Sequence, residues 1–520
     1  MIEGFRREWL LYTALVLLPL GCVLLVLETL WARRKVNCLG GPARALQTSR
    51  WNIWGVSFLW TSMAETLKHN DLAYWGGLLK RWGAPLRPWT IETSACGIRI
   101  IYTADEDNMK ELLTSKFKCF EKGSSFRKDF EPLLGGSIFT TDGQQWRNYR
   151  KFIQPHLKKE RLFHKDMLEE RMQVFLPMLA SSTSVQASIM TLRLTLDVFS
   201  DSFFGDCADT LRRPNEELRS AFTGLQRYYN LMLRAGPLQV CLNHKEFRDN
   251  INTLNKFVEP MVGRTLAIRE KSRSNGTTAK DVAAEDFHIQ RGSVLQNLAA
   301  ITSDTQVIRD QLVNVLVAGK DSTSNTMSWT LYHLAMQPHL VKRLREEIFN
   351  TVGDRLPTAE DLKLMTFLKF VVNETLRLYP PLPFNGRIAS ADTTLPRGGG
   401  DDGLSPIGVP KGTMVSFSTL LLHREADLYP PLSSDFPDPK DFAPERWERW
   451  TPSPWAYMPF SRGPRMCPAQ DFAMTYMSYV LVRILQTYER IECPMDAYPG
   501  EKYDMQISPY NSIELSFHKA

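Results

Sequence analysis

At 520 residues, 43% of them hydrophobic and 23% charged, with 30 Gly and 31 Pro spread along its length, the chain has the composition of a packed globular protein, which rules out disorder, collagen or coiled coil as a description of the whole. Its 63 Lys and Arg against 57 Asp and Glu leave a net charge of +6, too small a bias to suggest a nucleic-acid binder in the absence of a basic run interleaved with aromatics. The eight cysteines are far apart, with no CxxC pair and no His at zinc-ligand spacing, which argues against a disulfide framework or zinc module and for a reducing compartment.

The first element is apolar. From Trp9 to Leu27 the chain reads WLLYTALVLLPLGCVLLVL, 19 residues without a charge, which as a helix spans ~28 Å against a hydrocarbon core of ~30 Å. A cleaved signal peptide would carry a shorter apolar region, so a transmembrane anchor over 9–31 is expected. Arg33, Arg34, Lys35, Arg44 and Arg50 follow the span and only Arg6 and Arg7 precede it, so the positive-inside tendency puts residues 1–8 in the lumen and the bulk of the protein in the cytosol. Gly40, Gly41 and Pro42 suggest a hinge within a basic linker over 32–60. One catalytic domain is then expected over 61–520, because no repeat, low-complexity stretch or Gly/Ser linker divides it.

Within that domain helical patterns dominate. Residues 271–293 are polar and read as an exposed loop. The run from Thr305 to Gln337 is apolar around most of its surface until Pro338, which predicts a helix buried at the centre. It contains AGKDST, in which Ala318 and Gly319 precede Asp321, Ser322 and Thr323. In ETLRLYPP, Glu374 and Arg377 fall at i and i+3 and can pair on one helical face; FAPERW, further along, supplies Arg446. Residues 395–412 are punctuated by Gly and Pro as loops between short strands are, 429–459 read as irregular, and a helical pattern resumes at Ala469.

The sharpest pattern is FSRGPRMCPAQDFAM, where Phe460, Gly463, Arg465 and Cys467 follow the spacing Phe-x-x-Gly-x-Arg-x-Cys. With ETLR, PERW, AGKDST and DGQQWRNYR, this chain resembles the cytochrome P450 family. The resemblance implies a mainly α fold with small β-sheets, here with one N-terminal transmembrane helix. It also implies haem b (iron protoporphyrin IX) with Cys467 as the thiolate ligand, whose electron push in this family favours O–O cleavage. Arg465 and backbone N–H groups of the loop are expected to stabilise that thiolate.

Trp146, Arg150, Arg387 and Arg465 match the positions from which the family reaches the haem propionates, a role that suits the planar guanidinium. Glu374, Arg377 and Arg446 match the network that braces the haem core. Ala318, Gly319, Asp321 and Ser322 match the family's central-helix pattern. The resemblance implies that the small residues leave room for dioxygen and that Asp321 with Ser322 or Thr323 relays protons so that the O–O bond breaks with loss of water. Helix-interior hydroxyls also bond back to carbonyls one turn earlier. Two positions depart from the family: Ser322 replaces the usual Thr and Ala469 the usual Gly, which would be strained if φ there were positive.

RIASADTTLPRGGGDDGLSPIGVPKG and AGKDSTSN resemble the fungal group that contains alkane and fatty-acid hydroxylases, whose near relatives also tailor secondary metabolites. An apolar substrate follows, with Leu382, Pro383 and Phe384 as candidate contacts. No dinucleotide or flavin fingerprint is present, so electrons come from elsewhere. The resemblance implies an NADPH-cytochrome P450 reductase, with cytochrome b5 as a further donor, at the endoplasmic reticulum membrane. Lys151, Lys158, Lys159, Arg161 and Arg462 are candidates for its docking patch. Two other readings stay open: the same fold with rearrangement or dehydration chemistry, and a haem-binding protein without turnover.

Overall fold

The computed structural model describes residues 30–46, 55–158, 162–180, 183–274, 293–433, 436–495 and 498–519. The helices that position the site are α1 (Val56–Leu67), α2 (Asp71–Trp82), α3 (Ser124–Leu134), α4 (Gly143–Ile153), α5 (Lys165–Leu179), α6 (Ala187–Phe204), α7 (Glu216–Ala235), α8 (His244–Ser274), α9 (Val294–Ile301), α10 (Thr305–Met336), α11 (Pro338–Thr351), α12 (Thr366–Leu378) and α13 (Gln470–Thr487). The main core lies where α6, α10, α12 and α13 meet, around Phe199, Trp329, Leu376 and Tyr476.

Local chemistry sets the boundaries of the central helix. Asp304 caps α10 by accepting from the backbone N–H groups of Gln306 and Val307, which satisfies donors that would otherwise be orphaned. Its far end falls at Met336, just before Pro338, as the sequence pattern predicts. Ser293 and Gln296 form a reciprocal capping box on α9. Glu347, on α11, accepts from the first N–H groups of α12 at Phe367 and Leu368. Helix α8 runs on to Ser274, so the loop expected from residue 271 starts later; residues 275–292 lie outside the described residues.

The largest sheet has six strands, β1 (Arg44–Ala45), β2 (Thr90–Ala95), β3 (Ile98–Thr103), β4 (Phe120–Glu121), β6 (Phe384–Ala389) and β9 (Met414–Ser418), in the order β1-β2-β3-β9-β6-β4. Strands β3 and β9 run parallel with Ile101 opposite Val415, and β6 joins β9 antiparallel with Arg387 opposite Val415. The Gly/Pro-rich stretch forms a hairpin of β7 (Thr393–Gly399) and β8 (Ser405–Val409). A second sheet is built from β5 (Val185–Gln186), β10 (Tyr488–Glu492) and β13 (Glu514–Lys519) in the order β10-β13-β5, and β11 (Glu501–Tyr503) pairs with β12 (Ile507–Pro509). Mainly helical architecture with small sheets is therefore observed.

Val36 and Ala43 are buried, and β1 pairs with β2, so part of the stretch read as a linker packs onto the main sheet. The apolar run from Trp9 to Leu27 lies outside the described residues. Among the described residues no helix is long and apolar enough to cross a membrane. Every described cysteine is free.

Candidate haem-thiolate site

The loop carrying Cys467 leads into α13. The backbone N–H of Cys467 donates to the Phe460 carbonyl at 3.0 Å and that of Met466 to Gly463 at 3.0 Å, which folds the segment tightly around the sulfur. Gly463 has φ +73°, and a Cβ there would stand 2.1 Å from the Leu113 carbonyl oxygen; glycine is required on both counts. Ser461 also has positive φ, at 60°, a left-handed conformation that is unfavourable for a residue with a side chain. Ala469 has φ −111°, so the alanine in place of glycine is accommodated without backbone strain.

Burial pushes the Cys467 thiol up, opposed by the Ala469 N–H and by the nearby Arg150 guanidinium. Arg465 does not serve the sulfur, as the sequence suggested. Its guanidinium donates to the carbonyls of Ile138 and Thr141 and to Asp142 at 2.6 Å, and lies 4.7 Å from the centre of the Trp146 ring. Trp146 is buried under it, and Arg150 donates to Gln154 at 3.2 Å.

Arg465 belongs to a cluster that sequence reasoning saw only in part. Lys122, Arg387 and Arg465 are close enough to repel one another around one shared acid, Asp142, and Glu121 also acts on Arg465. Burial, then Arg465, pushes Arg387 down to about 9. Burial, then Arg387 and Arg465, holds Lys122 well below the usual lysine range. Lys122 donates to Asn385 at 2.8 Å, while Arg387 donates to Asn385 at 3.1 Å and to the Gly386 carbonyl. Asp142 precedes α4 like an N-cap, yet its carboxylate accepts from the backbone of Lys122 and Gly123 instead. Three cations withdrawn from bulk water around Asp142, with Glu121 acting on Arg465 alone, are short of negative charge, which is what two propionates supply. No pattern in the sequence marked Lys122.

Between Ile308 and Tyr332 helix α10 is buried at every position except Val315, Val317, Ala318, Gly319, Ser322 and Asn325. Five of these fall three or four residues apart, so one stripe of a fully surrounded helix faces open space, as it would beside a ligand. Ala318 lies on that stripe as expected. Gly319 differs: a Cβ there would meet the Phe199 ring at 2.4 Å, so its missing side chain serves the packing of α6 against α10.

The acid and the alcohol are not joined. Asp321 is bonded by Lys320 and by Gln226 of α7. The Ser322 hydroxyl donates to the Ala318 carbonyl at 2.8 Å, one turn back, and Thr323 is buried beside it. The local bonding of Ser322 prevails over a direct Asp321–Ser322 bond.

Beneath the loop, Glu374 accepts from Arg377 at 2.7 and 2.8 Å and from Arg446 at 2.9 Å. The Ala443 N–H and the Trp447 indole complete its shell at 3.0 and 2.9 Å. The two guanidiniums also donate to carbonyls of the 437–441 segment, and Arg377 further to the His423 carbonyl and the Tyr429 hydroxyl. His423, buried neutral, accepts from the Met458 N–H at 2.9 Å and so links this network to the segment entering the Cys467 loop.

Among the substrate candidates Pro383 is buried, Leu382 is exposed, and Phe384 packs with Trp75 at 6.5 Å between ring centres. Lys151 and Lys158 are exposed; Arg462 is half-buried, donating to the Tyr457 carbonyl, and Lys159 and Arg161 lie outside the described residues. The donor set fits an iron porphyrin: one soft thiol on a rigid loop, unneutralised cations and an open stripe on the helix.

Comparison with known proteins agrees. The family model "Cytochrome P450" matches residues 94–509. The chain is 37% identical to "Cytochrome P450 monooxygenase pvhE" of Talaromyces variabilis, over 96% of this chain and 94% of that protein. It is 36% identical to "Cytochrome P450 52A4" of Candida maltosa, over 82% and 79% respectively. It is 31% identical to "Cytochrome P450 monooxygenase fsdH" of Fusarium heterosporum, over 100% and 90%.

Proposed function

The chain belongs to the cytochrome P450 family as a monooxygenase with haem b, and on that premise we propose that it is a membrane-anchored enzyme of the endoplasmic reticulum that hydroxylates or otherwise oxidises an apolar substrate. In this reading residues 9–31 are the anchor, 1–8 are luminal, 32–60 connect, and 61–520 form the cytosolic catalytic domain. The observation that carries the catalytic part is the Cys467 loop, whose sulfur is supported by the Ala469 N–H and the Arg150 guanidinium.

Haem, when bound, supplies an iron centre that activates dioxygen under the electron donation of the thiolate. The chain's own residues do the rest. Cys467 ligates, and Lys122, Arg387 and Arg465 hold the carboxylates of the porphyrin. The Glu374 network keeps the loop rigid, since a thiolate held loosely would neither orient nor stay dry. Ser322 spends its proton on Ala318, leaving its oxygen lone pairs on the open stripe to accept one. NADPH-cytochrome P450 reductase, aided by cytochrome b5, is the proposed electron source, with Lys151 and Lys158 as exposed docking charges.

The substrate is proposed to be a long-chain alkyl or fatty compound or a fungal secondary metabolite, a choice supported by the relatives' diversity and by the packing of Phe384 against an apolar cluster, with Arg234 over its ring. The deciding experiment is the carbon monoxide difference spectrum of reduced microsomes. A strongly red-shifted Soret band in the native chain, lost in Cys467→Ala, is expected. Its absence from folded native protein, or its persistence in the variant, overturns the ligand assignment.

A further inference from the structure

Lys320 stands where the sequence pattern tolerates any residue, yet it is only 2% exposed. An ammonium in that position must be matched by charge or by a π face, and both are present. Its Nζ lies 3.9 Å from the centre of the Phe222 ring of α7, and it bonds one oxygen of Asp321. Gln226, one turn along α7 from Phe222, bonds the other oxygen of the same carboxylate. Both oxygens of the acid are thus held by groups that bridge α10 to α7.

A crevice adjoins the buried lysine. It is narrow, about 20 Å³, and is lined by Arg193, Thr210, Glu216, Arg219, Phe222 and Lys320, which is room for a single water. Glu216 and Arg219 are exposed, so the crevice opens toward solvent beside the Lys320 side chain. On its other side Asp321 adjoins the open stripe that carries Ser322.

We propose that Lys320 is a positioning residue that, with Gln226, holds Asp321 in place, and that the crevice beside its side chain is the route by which solvent protons reach that acid. This rests on the monooxygenase reading above. A proton passes from Nζ along its hydrogen bond to Oδ1, leaving a neutral amine and a carboxylic acid. The amine regains a proton from hydronium arriving through the crevice, so the net change is one proton carried inward from solvent. Burial, opposed by Asp321, lowers the proton affinity of Lys320 relative to free lysine, in the direction that eases the first transfer. The charged groups facing it are Asp321 on its own helix, Arg193 on α6, and Glu216 and Arg219 on α7.

The test compares Lys320→Met, which keeps length and removes charge, with Lys320→Arg, using the reductase-coupled full chain and dodecanoic acid as an alkyl probe. Lys320→Met is expected to retain the carbon monoxide band, lose turnover on the order of 10-fold, release more peroxide per NADPH and show a larger solvent deuterium isotope effect. Lys320→Arg should restore most of each. An infrared difference spectrum gives a readout independent of turnover: a protonated-carboxyl band at neutral pH in Lys320→Met, absent from the native chain and from a Lys320→Met, Asp321→Asn double variant. Gln226→Leu, which frees one carboxylate oxygen without touching the buried charge, should show the same rise in peroxide release and isotope effect, without the band, if Lys320→Met fails to fold. A Lys320→Met protein with native isotope effect and coupling overturns the proposal, as does a Lys320→Arg protein as impaired as the methionine variant. Loss of the carbon monoxide band in the native chain would instead defeat the monooxygenase reading.

Discussion

Glu374 and Glu425 are both withdrawn from solvent, 0% and 1% exposed, and the fold treats them in opposite ways. Glu374 is met by two arginines, an indole and a backbone N–H, and its carboxyl is held below the usual range because the Arg377 and Arg446 charges outweigh burial. Glu425 has neither carboxylate oxygen in a hydrogen bond. Burial, then Asp105, raises it to about 9, with Asp427 and Glu106 adding to the effect and only Arg87 opposing it. Arg87 is already committed to Asp105 at 2.7 Å. Burial alone therefore says nothing about the state of a carboxyl: the first is an ion whose removal breaks a scaffold, the second a neutral acid that the fold tolerates.

The largest effect should come from breaking the partnered side. Glu374→Gln leaves Arg377 and Arg446 facing each other without a counter-charge, and removing one partner of a buried ionic network costs about 3–5 kcal/mol. Loss of the carbon monoxide band together with a collapse of the melting temperature is the expected outcome. The sign against pH follows from the lowered carboxyl: the stability it contributes is present above the unfolded value and is lost as pH falls through the native one. An acid melting series on the native chain checks this.

Glu425 reverses that sign. Its raised value means the native state holds a proton that the unfolded chain releases, so stability declines as pH rises from about 4.5 toward 9. Glu425→Gln keeps the shape and removes the titration. It should stabilise the protein markedly at pH 8, where the unfolded chain has released the proton that the native fold keeps, and little at pH 4.5. Equal melting shifts at both pH values would show that Glu425 is ionised in the native fold and that the contrast with Glu374 is wrong.

The difference between these two sites was legible on one side only. The spacing of Glu374 and Arg377 and the PERW segment carry enough pattern to predict a pairing, although Trp447, next to Arg446, went unread. Glu425 sits in HREAD, where no sequence pattern marks it, because only the tertiary packing of Asp105 and Arg87 against it defines its surroundings. The Cys467 loop was legible in its residues but not in their tasks: Gly463 clears the Leu113 carbonyl and Arg465 serves Asp142. Lys320 did carry a sign in the sequence, a charge inside a helix apolar on all sides, which demands a partner that sequence cannot locate.

The Lys122 cluster presents the converse of Glu425, positive charge without sufficient acid. Lys122→Met relieves repulsion with Arg387 and Arg465 and removes an ammonium withdrawn from bulk water, so it should stabilise the haem-free chain by about 1 kcal/mol. In the loaded protein the same change should speed haem loss to a scavenging apoglobin. A variant less stable without haem would show that Asp142 already balances the cluster and that the three cations are not reserved for propionates.

The finest division lies within the Glu374 shell itself. Trp447→Phe removes the 2.9 Å indole bond to Oε2 but keeps the aromatic body that lies 4.8 Å from the Tyr457 ring. Oε2 retains its bond from Arg377 at 2.7 Å, so no charge is stranded and no buried donor is left behind. The expected loss is about 1 kcal/mol, read as a small drop in melting temperature with the carbon monoxide band intact. A loss near that of Glu374→Gln would mean that the indole fixes the carboxylate for both arginines at once, and that the network's strength resides in orientation rather than in the pairing of charges. A loss too small to measure would leave the two guanidiniums and the Ala443 N–H as what separates Glu374 from Glu425.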